Sequence, residues 1–306
     1  MVWLSGLLPY DQCEQVMERI GERYVSDSSI WRQTQQYGAK LEAEVAHQRQ
    51  QVSVELIQFP DSRYDHDQQK AVSMDGGMVN IRGEGWRELK VGAVFDVEQR
   101  LERNPQTHEL DEMAHGVNVH YTAVLGSKEA FKPALWALAV HHNLPTAHKR
   151  SVVADGALWI WDVAEAVCPD GTQVVDWFHA VEHLAEAASA LYPNDADANK
   201  RKRWLKTYKD YLYRGRIHKI IATLHRRERP DLAVYFERHQ RRMQYLAFRE
   251  NGVPISSGTV ESGVKQYKQR LCGTGMRWND DCAQRMLVIR SVSLSNEFDD
   301  FWQRIA

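Results

Sequence analysis

The sequence predicts an α/β protein in which a mixed β-sheet is flanked by helices and joined to a basic, all-helical segment. Three observations lead to this prediction. Three strand-type segments follow one another between residues 70 and 126, strand and helix patterns then alternate up to residue 192, and the strand pattern is absent from about 194 to 250. Adjacent strands followed by strand–helix–strand units are typical of a mixed sheet with helices on its faces.

The composition is that of an ordinary globular chain. Of 306 residues, 43% are hydrophobic and 26% are charged, and no apolar run approaches the roughly 20 residues of a membrane span. The start, "MVWLSGLLPYDQ", lacks the basic n-region of a signal peptide. The four cysteines show no paired spacing, which fits a reducing compartment. We therefore expect a cytoplasmic protein with no membrane partner.

Residues 1–58 are predicted to form a helical N-terminal segment. Apolar residues recur at helical spacing in "PYDQCEQVMERIGERY", Gly21 lies near its end, and "SDSS" supplies N-cap residues for a second helix. The pattern is compatible with a helix-turn-helix. Because the first 51 residues hold five basic and seven acidic side chains, an interaction or dimerisation hairpin is an equal alternative. The polar residues 59–69 are predicted to be a linker.

The next elements alternate in type. Strand patterns occur in "KAVSMDGGMVNIR", "WRELKVGAVFDVE" and "GVNVHYTAVLG". A helix follows in "KEAFKPALWALAVHHNL", with Pro133 in its first turn. Then come the strand "RSVVAD", the helix "GALWIWDVAEAV", the strand "GTQVVDWFH" and the helix "AVEHLAEAASALY". Two further helices are predicted in "VESGVKQYKQRL" and "DDCAQRMLVIRSVSL".

Positive charge is concentrated in one segment. Residues 200–250 hold 16 Lys and Arg against 5 Asp and Glu, an excess of +11, so the rest of the chain carries −13 of the total of −2. Such asymmetry favours a polyanionic partner, although a solvated helical face is an alternative. Trp, Tyr and Leu fall on one stripe of this segment, and Gly215 and Pro230 are its predicted interruptions.

Two strand patterns end on the same dipeptide. "VSMDG" spans residues 72–76 and "VVADG" spans residues 152–156. Asp-Gly between apolar runs is a strong hairpin signal. Alternatively, two strands carry Asp75 and Asp155 to one place, and the helix that follows "SSGT" adds Glu261. Three carboxylates of this kind would be suitable ligands for the Mg²⁺ ions of a phosphoryl-transfer site.

Four motifs occur in order along the chain: "SMDGGMVNIRGEGWRELKVGAVFD", "ADGALWIWDVAEAV", "VVDWFHAVEHL" and "GTVESGVKQYKQRLCGTGMRWN". Together they resemble the DDE transposases of bacterial insertion sequences, and more narrowly the ISKra-type enzymes related to the Mutator-like group. The resemblance covers roughly residues 70 to 290. Members of this family usually carry more sequence ahead of the core, so the chain is expected to be a truncated copy or one part of a split reading frame.

The resemblance implies a ribonuclease-H-like catalytic core over 70–184 and 256–295. A basic all-helical insertion would occupy 185–255, and a C-terminal tail 296–306. The metal ligands would be Asp75, Asp155 and Glu261, and an accessory motif would consist of Asp176 and His179.

The implied activity is Mg²⁺-dependent cleavage at transposon ends, with Mn²⁺ as a substitute, followed by strand transfer into target DNA. The partners would be double-stranded DNA and further copies of the chain on that DNA, in the nucleoid. A catalytically inactive, transposase-derived DNA-binding protein is the alternative. Because all three acidic positions are filled, we expect the catalytically active form.

Several side chains have competing interpretations. Asp176 also ends a strand and rivals Asp155, but its spacing to His179 favours the accessory role. His179 and His183 stand at i and i+4 and could clamp zinc in a hydrolase, although no third ligand adjoins them. Lys265 could contact a phosphate or be a plain surface lysine. The predicted DNA contacts are Lys200, Arg201, Lys202, Arg203, Trp204, Lys265, Lys268, Arg270 and Arg277, and Trp278 is a further base-stacking candidate.

Overall fold

The computed structural model describes residues 1–52, 65–104 and 109–305. The strands are β1 (Asp65–Ile81), β2 (Gly85–Arg103), β3 (Leu110–Leu125), β4 (Ala147–Ala154) and β5 (Thr172–Val175). The helices are α1 (Val2–Leu7), α2 (Tyr10–Arg19), α3 (Asp27–Gln51), α4 (Lys128–His141), α5 (Leu158–Val167), α6 (Trp177–Leu191), α7 (Ala198–Tyr213), α8 (Ile217–Arg226), α9 (Pro230–His239), α10 (Tyr245–Glu250), α11 (Gly258–Leu271), α12 (Asp280–Leu294) and α13 (Phe298–Ile305).

The five strands form one mixed sheet in the order β3-β2-β1-β4-β5. β2 runs antiparallel to both β1 and β3, whereas β4 is parallel to β1 and β5 is parallel to β4. The predicted α/β class, with a mixed sheet flanked by helices, is confirmed. The β1–β2 turn contains Gly83 and Gly85 at φ +84° and +81°, a backbone region that favours glycine. The first hairpin therefore turns there and not at Asp75–Gly76.

The two faces of the sheet carry separate hydrophobic cores. Side chains alternate along β1, so Val72 and Met74 face one core with α4, α5 and α6. Ala71 and Val79 face the other core, which is completed by α11 and α12. The acidic side chains at the ends of the parallel strands are thus held by elements that are buried on both faces.

The helical N-terminal segment packs directly on α12 and α13. Val2 and Leu41 share a buried cluster with Ile289 of α12 and Phe301 of α13. The predicted C-terminal tail is therefore a packed helix, because Phe301 gives it an apolar anchor. The predicted linker over 59–69 is also corrected: β1 begins at Asp65, and 59–64 lie outside the described residues, as do 53–58 of the N-terminal segment.

The basic segment is helical, as its pattern predicts. Gly215 separates α7 from α8 at φ +68°, and Pro230 occupies the first position of α9. Leu212 and Phe236 are buried in the same core as the sheet residues, so this segment packs against the sheet layer. Within the described ranges, no helix combines the length and the apolarity that crossing a bilayer requires.

Candidate active site

Asp75 and Asp155 occupy equivalent positions on neighbouring parallel strands. Met74 of β1 is paired with Ala154 of β4, so each aspartate comes one residue after a paired position. Neighbouring strands lie about 4.8 Å apart, and Asp155 is near enough for its negative charge to raise the pKa of Asp75. Neither Asp-Gly pair is a hairpin turn. β1 continues through Asp75 to Ile81, although a strand end was predicted there, and β4 leads into α5.

Helix α11 brings Glu261 to the sheet face that also carries Asp75. The helix lies close to the sheet because Gly263 has no side chain: a Cβ atom there would be 2.5 Å from Cε1 of Tyr121. The Tyr121 hydroxyl donates to the carbonyl of Thr259 at 3.1 Å and holds the first turn of α11 against β3. Ser257 Oγ lies 3.0 Å from Oε1 of Glu261 and donates to it.

Charge repulsion connects the three carboxylates. The pKa of Asp75 is raised above its ordinary value, first by burial and then by the negative charges of Asp155 and Glu261. The Gly76 N–H, 2.6 Å from Oδ1 of Asp75, and His179 oppose this rise. A divalent cation would relieve such repulsion, and carboxylate oxygens are the donors that Mg²⁺ prefers. The donor set therefore fits a magnesium ion.

The tightest group of potential ligands here differs from the predicted trio. Atoms of Asp176, His179 and Glu261 all lie within 4.8 Å of one another, and Asp75 and Asp155 stand outside this group. Mg²⁺ keeps several waters in protein sites, so the three predicted carboxylates do not all need to touch one ion. Glu261 belongs to both sets and is the common element of the site.

Asp176 is fully buried and uses both carboxylate oxygens in backbone hydrogen bonds. Oδ1 accepts from the N–H of His179 at 2.9 Å and caps α6, and Oδ2 accepts from the N–H of Ser257 at 2.6 Å. Asp176 thereby ties the start of α6 to the residues that precede α11. Both oxygens of Asp176 are thus occupied by backbone donors, whereas the bond that Asp155 accepts from the N–H of Ala157 uses only Oδ1, at 2.8 Å.

His179 faces the site, whereas His183 does not share it. His179 Nε2 lies 3.9 Å from Oε1 of Glu261. His183 stacks on Tyr235, with ring centroids 3.7 Å apart, and pairs with Glu186 at 3.2 Å. In the described chain the potential metal-ligand groups include His179 but not His183. The two-histidine zinc clamp is therefore not supported.

The structure adds two residues of α9 that the sequence did not indicate. The Tyr235 hydroxyl donates to the carbonyl of Asp155 at 3.3 Å, and burial raises the pKa of that hydroxyl. A Cβ atom on Gly156, where φ is +100°, would be 3.3 Å from the same hydroxyl and 3.5 Å from Nε2 of His239. Burial and nearby arginines lower the pKa of His239 to about 4. No local pattern links α9 to a strand 80 positions away.

Two of the predicted DNA contacts are corrected by the structure. Arg270 is 1% exposed, donates to the carbonyl of Ser5 at 2.6 Å and lies over the rings of Tyr10 and Trp278. Trp204 is 7% exposed and stacks on Tyr208 with ring centroids 4.2 Å apart. Neither side chain is accessible to DNA, because each fills a packed interior. Trp278 is also buried.

The other predicted contacts are accessible to different degrees. Lys265 and Lys268 on α11, Arg277, Lys202 and Arg203 are exposed, and Arg201 is half-buried. Lys200 is exposed but paired with Asp197 at 2.8 Å.

A basic groove of about 680 Å³ runs along α7 and reaches α10. Six cationic side chains and one carboxylate line it, together with three apolar or aromatic residues. The lining consists of Lys202, Leu205, Lys206, Lys209, Asp210, Tyr213, Arg214, Arg216, Leu246 and Arg249. Part of the excess positive charge of the segment therefore lines a concave surface, which we call the basic groove.

No protein-family model matches the chain, and no curated protein matches it.

Proposed function

We propose that the chain is a DDE-type transposase that cleaves and joins DNA strands with Mg²⁺. The single observation that supports this most is the convergence of Asp75, Asp155 and Glu261. Asp75 and Asp155 each come one residue after a paired position on adjacent parallel strands, and the negative charges of Asp155 and Glu261 raise the pKa of Asp75. The mixed sheet flanked by helices is compatible with a ribonuclease-H-like core.

The residues of this site have separable tasks. Asp75, Asp155 and Glu261 would hold Mg²⁺, which supplies activation of the attacking oxygen and stabilisation of the leaving oxygen when bound. Asp176 holds the N-terminus of α6 and the backbone of Ser257, which directly precedes α11. Ser257 orients the Glu261 carboxylate by donating to its Oε1. With these groups held in place, the carboxylates of Asp75, Asp155 and Glu261 would act on the same phosphodiester.

The basic groove would bind the DNA backbone beyond the reacting phosphate. Cations spaced along one helix face neutralise phosphates in succession, and the released counterions make such binding fall with salt. Lys202 and Lys206 are exposed, and neither has an ion pair among the described residues. They are therefore the groove cations best placed to meet phosphates. Joining two DNA ends would need more than one copy of the chain on the DNA.

A strand-cleavage assay tests the proposal. End-labelled duplex DNA carrying the flanks of the gene is incubated with Mg²⁺ or Mn²⁺ and the wild-type chain or its Asp155→Asn variant. We expect nicks from the wild type only, with equal binding by both proteins in gel shifts. Wild-type protein that binds the duplex but never nicks it would favour the inactive DNA-binding alternative. Wild-type protein that does neither would refute the proposal.

The groove has its own test. Lys206→Ala should lower the slope of log K against log salt by about 0.9, because one phosphate contact is lost. Lys149→Ala is the matched control, since Lys149 is exposed at the opposite end of β4 from Asp155. A slope that falls equally in both variants, or in neither, would contradict DNA binding in this groove.

A further inference from the structure

A second cluster of potential metal ligands lies away from the candidate active site. It consists of His120 on β3, His142 just after α4 and Glu297 just before α13. Nδ1 of His120 is 2.9 Å from Oε1 of Glu297, and Nε2 of His142 is 3.1 Å from the same oxygen. Three separate elements therefore bring two ring nitrogens and a carboxylate close together.

The distances are close to those of a zinc site. Zinc bonds of about 2.0–2.2 Å put neighbouring ligands of a tetrahedral ion about 3.3 Å apart. The two nitrogen–oxygen distances are shorter than that by a few tenths of an ångström, and all three ligand atoms lie within 4.8 Å of one another. The distances suit the ion, but the two stacked rings would have to turn out of their stack so that both nitrogen lone pairs point at it.

The cluster is poorly satisfied as a set of hydrogen bonds. Nδ1 of His120 and Nε2 of His142 are shielded from solvent, and both approach the same Glu297 oxygen outside the geometry of an ordinary hydrogen bond. The two imidazole rings are stacked with centroids 3.5 Å apart and planes inclined by 17°. Two protonated imidazoles would repel each other in that arrangement, whereas neutral imidazoles are zinc ligands.

A cavity of about 370 Å³ adjoins the cluster. His142 and Glu297 are among its lining residues, and Arg49 and Arg304 also line it. Two histidines and one glutamate with an open fourth position form a ligand set that zinc uses in proteins. The cavity provides room for water at that position, and the arginines favour an anion there.

We propose that His120, His142 and Glu297 bind one zinc ion, which connects the edge strand β3 to the ends of α4 and α12. This inference is independent of the proposed DNA chemistry, because it uses none of the same residues. Zinc bound only to the folded chain stabilises it by mass action.

The test begins with the whole wild-type chain and ZnCl₂. After dialysis against excess Zn²⁺ and removal of free metal, elemental analysis should find one zinc per chain from this site. Co²⁺ added in its place should give the visible absorption of a tetrahedral complex. The midpoint of thermal unfolding should rise by about 5 °C at a Zn²⁺ concentration 100 times the Kd. A wild-type chain that retains no zinc and shows no cobalt spectrum would overturn the proposal.

Variants locate the ion. His142→Gln and Glu297→Gln should each lose one equivalent of zinc, the cobalt spectrum and the thermal shift. His225→Gln is the matched control, because His225 pairs with Glu237 at 2.6 Å without a second histidine, and it should behave as the wild type. Glu261→Gln should also retain the ion. Zinc that is lost in Glu261→Gln but kept in His142→Gln would assign the metal to the candidate active site and refute this inference. Circular dichroism of each variant confirms that it is folded.

Discussion

Replacing the glycine by alanine should destabilise the chain at the second Asp-Gly pair and have little effect at the first. Gly156 has φ +100° and would place a Cβ atom 3.3 Å from the Tyr235 hydroxyl. Gly76 has no positive φ, and a Cβ atom there would meet only the Leu89 carbonyl at 3.9 Å. Backbone strain of this type costs about 1–3 kcal/mol. Alanine at position 76 restricts the unfolded chain and should change stability by no more than about 0.5 kcal/mol.

Urea unfolding of the two variants measures the difference directly. We expect Gly156→Ala to lower the free energy of unfolding by at least about 1 kcal/mol more than Gly76→Ala. Since Gly156 follows Asp155, the same variant should also reduce strand cleavage, whereas Gly76→Ala should retain it more fully. Equal losses of stability in both variants would refute the reasoning, because the two glycines would then have the same conformational role.

Two further substitutions test how the sheet and α11 are held. Gly263→Ala should destabilise the chain by about 1–3 kcal/mol and reduce cleavage, because its Cβ atom would overlap the Tyr121 ring. Ser262→Ala, at an exposed neighbouring position, should change the free energy of unfolding by no more than about 0.5 kcal/mol when both variants are unfolded in urea. Asp96→Asn should cost about 1–3 kcal/mol at pH 7, because it leaves the buried Lys70 ammonium without its ion pair. Burial opposes ionisation of Asp96, but hydrogen bonds from Lys70 and Asn118 outweigh burial and lower the pKa of Asp96. The difference in free energy of unfolding between the wild type and Asp96→Asn should therefore be full above pH about 4 and disappear as the pH falls below it. A difference that stays constant with pH in urea titrations would contradict this.

The sheet, the helical basic segment and the helix that bears Glu261 could be predicted because apolar residues recur at a regular spacing along each of them. Val152 and Val153 form a continuous apolar strand that is buried on both faces, as parallel strands commonly are. The end of β1 was less predictable. β1 extends past Asp75 because its pairing with β2 continues to Ile81, whereas its pairing with β4 stops at Met74. The sequence of one strand does not show how far each neighbouring strand will pair with it.

Other features of the site depend on contacts between distant parts of the chain. Arg270 was assigned to the surface from its charge, yet it lies three residues after Tyr267 and six after Val264, both buried on α11. Helical spacing therefore carried a signal of its burial. The contact from Tyr235 to Asp155 had no such signal, because α9 approaches β4 only through tertiary packing.

The most direct test of the account is the position of a bound Mn²⁺ ion. Crystals of the wild-type chain soaked in MnCl₂ should show an anomalous difference peak between the carboxylates of Asp75, Asp155 and Glu261. The same soak of Asp155→Asn crystals should weaken or remove that peak. Wild-type crystals with no peak among these three side chains, or with manganese bound only elsewhere, would contradict the claim that they form a catalytic metal site.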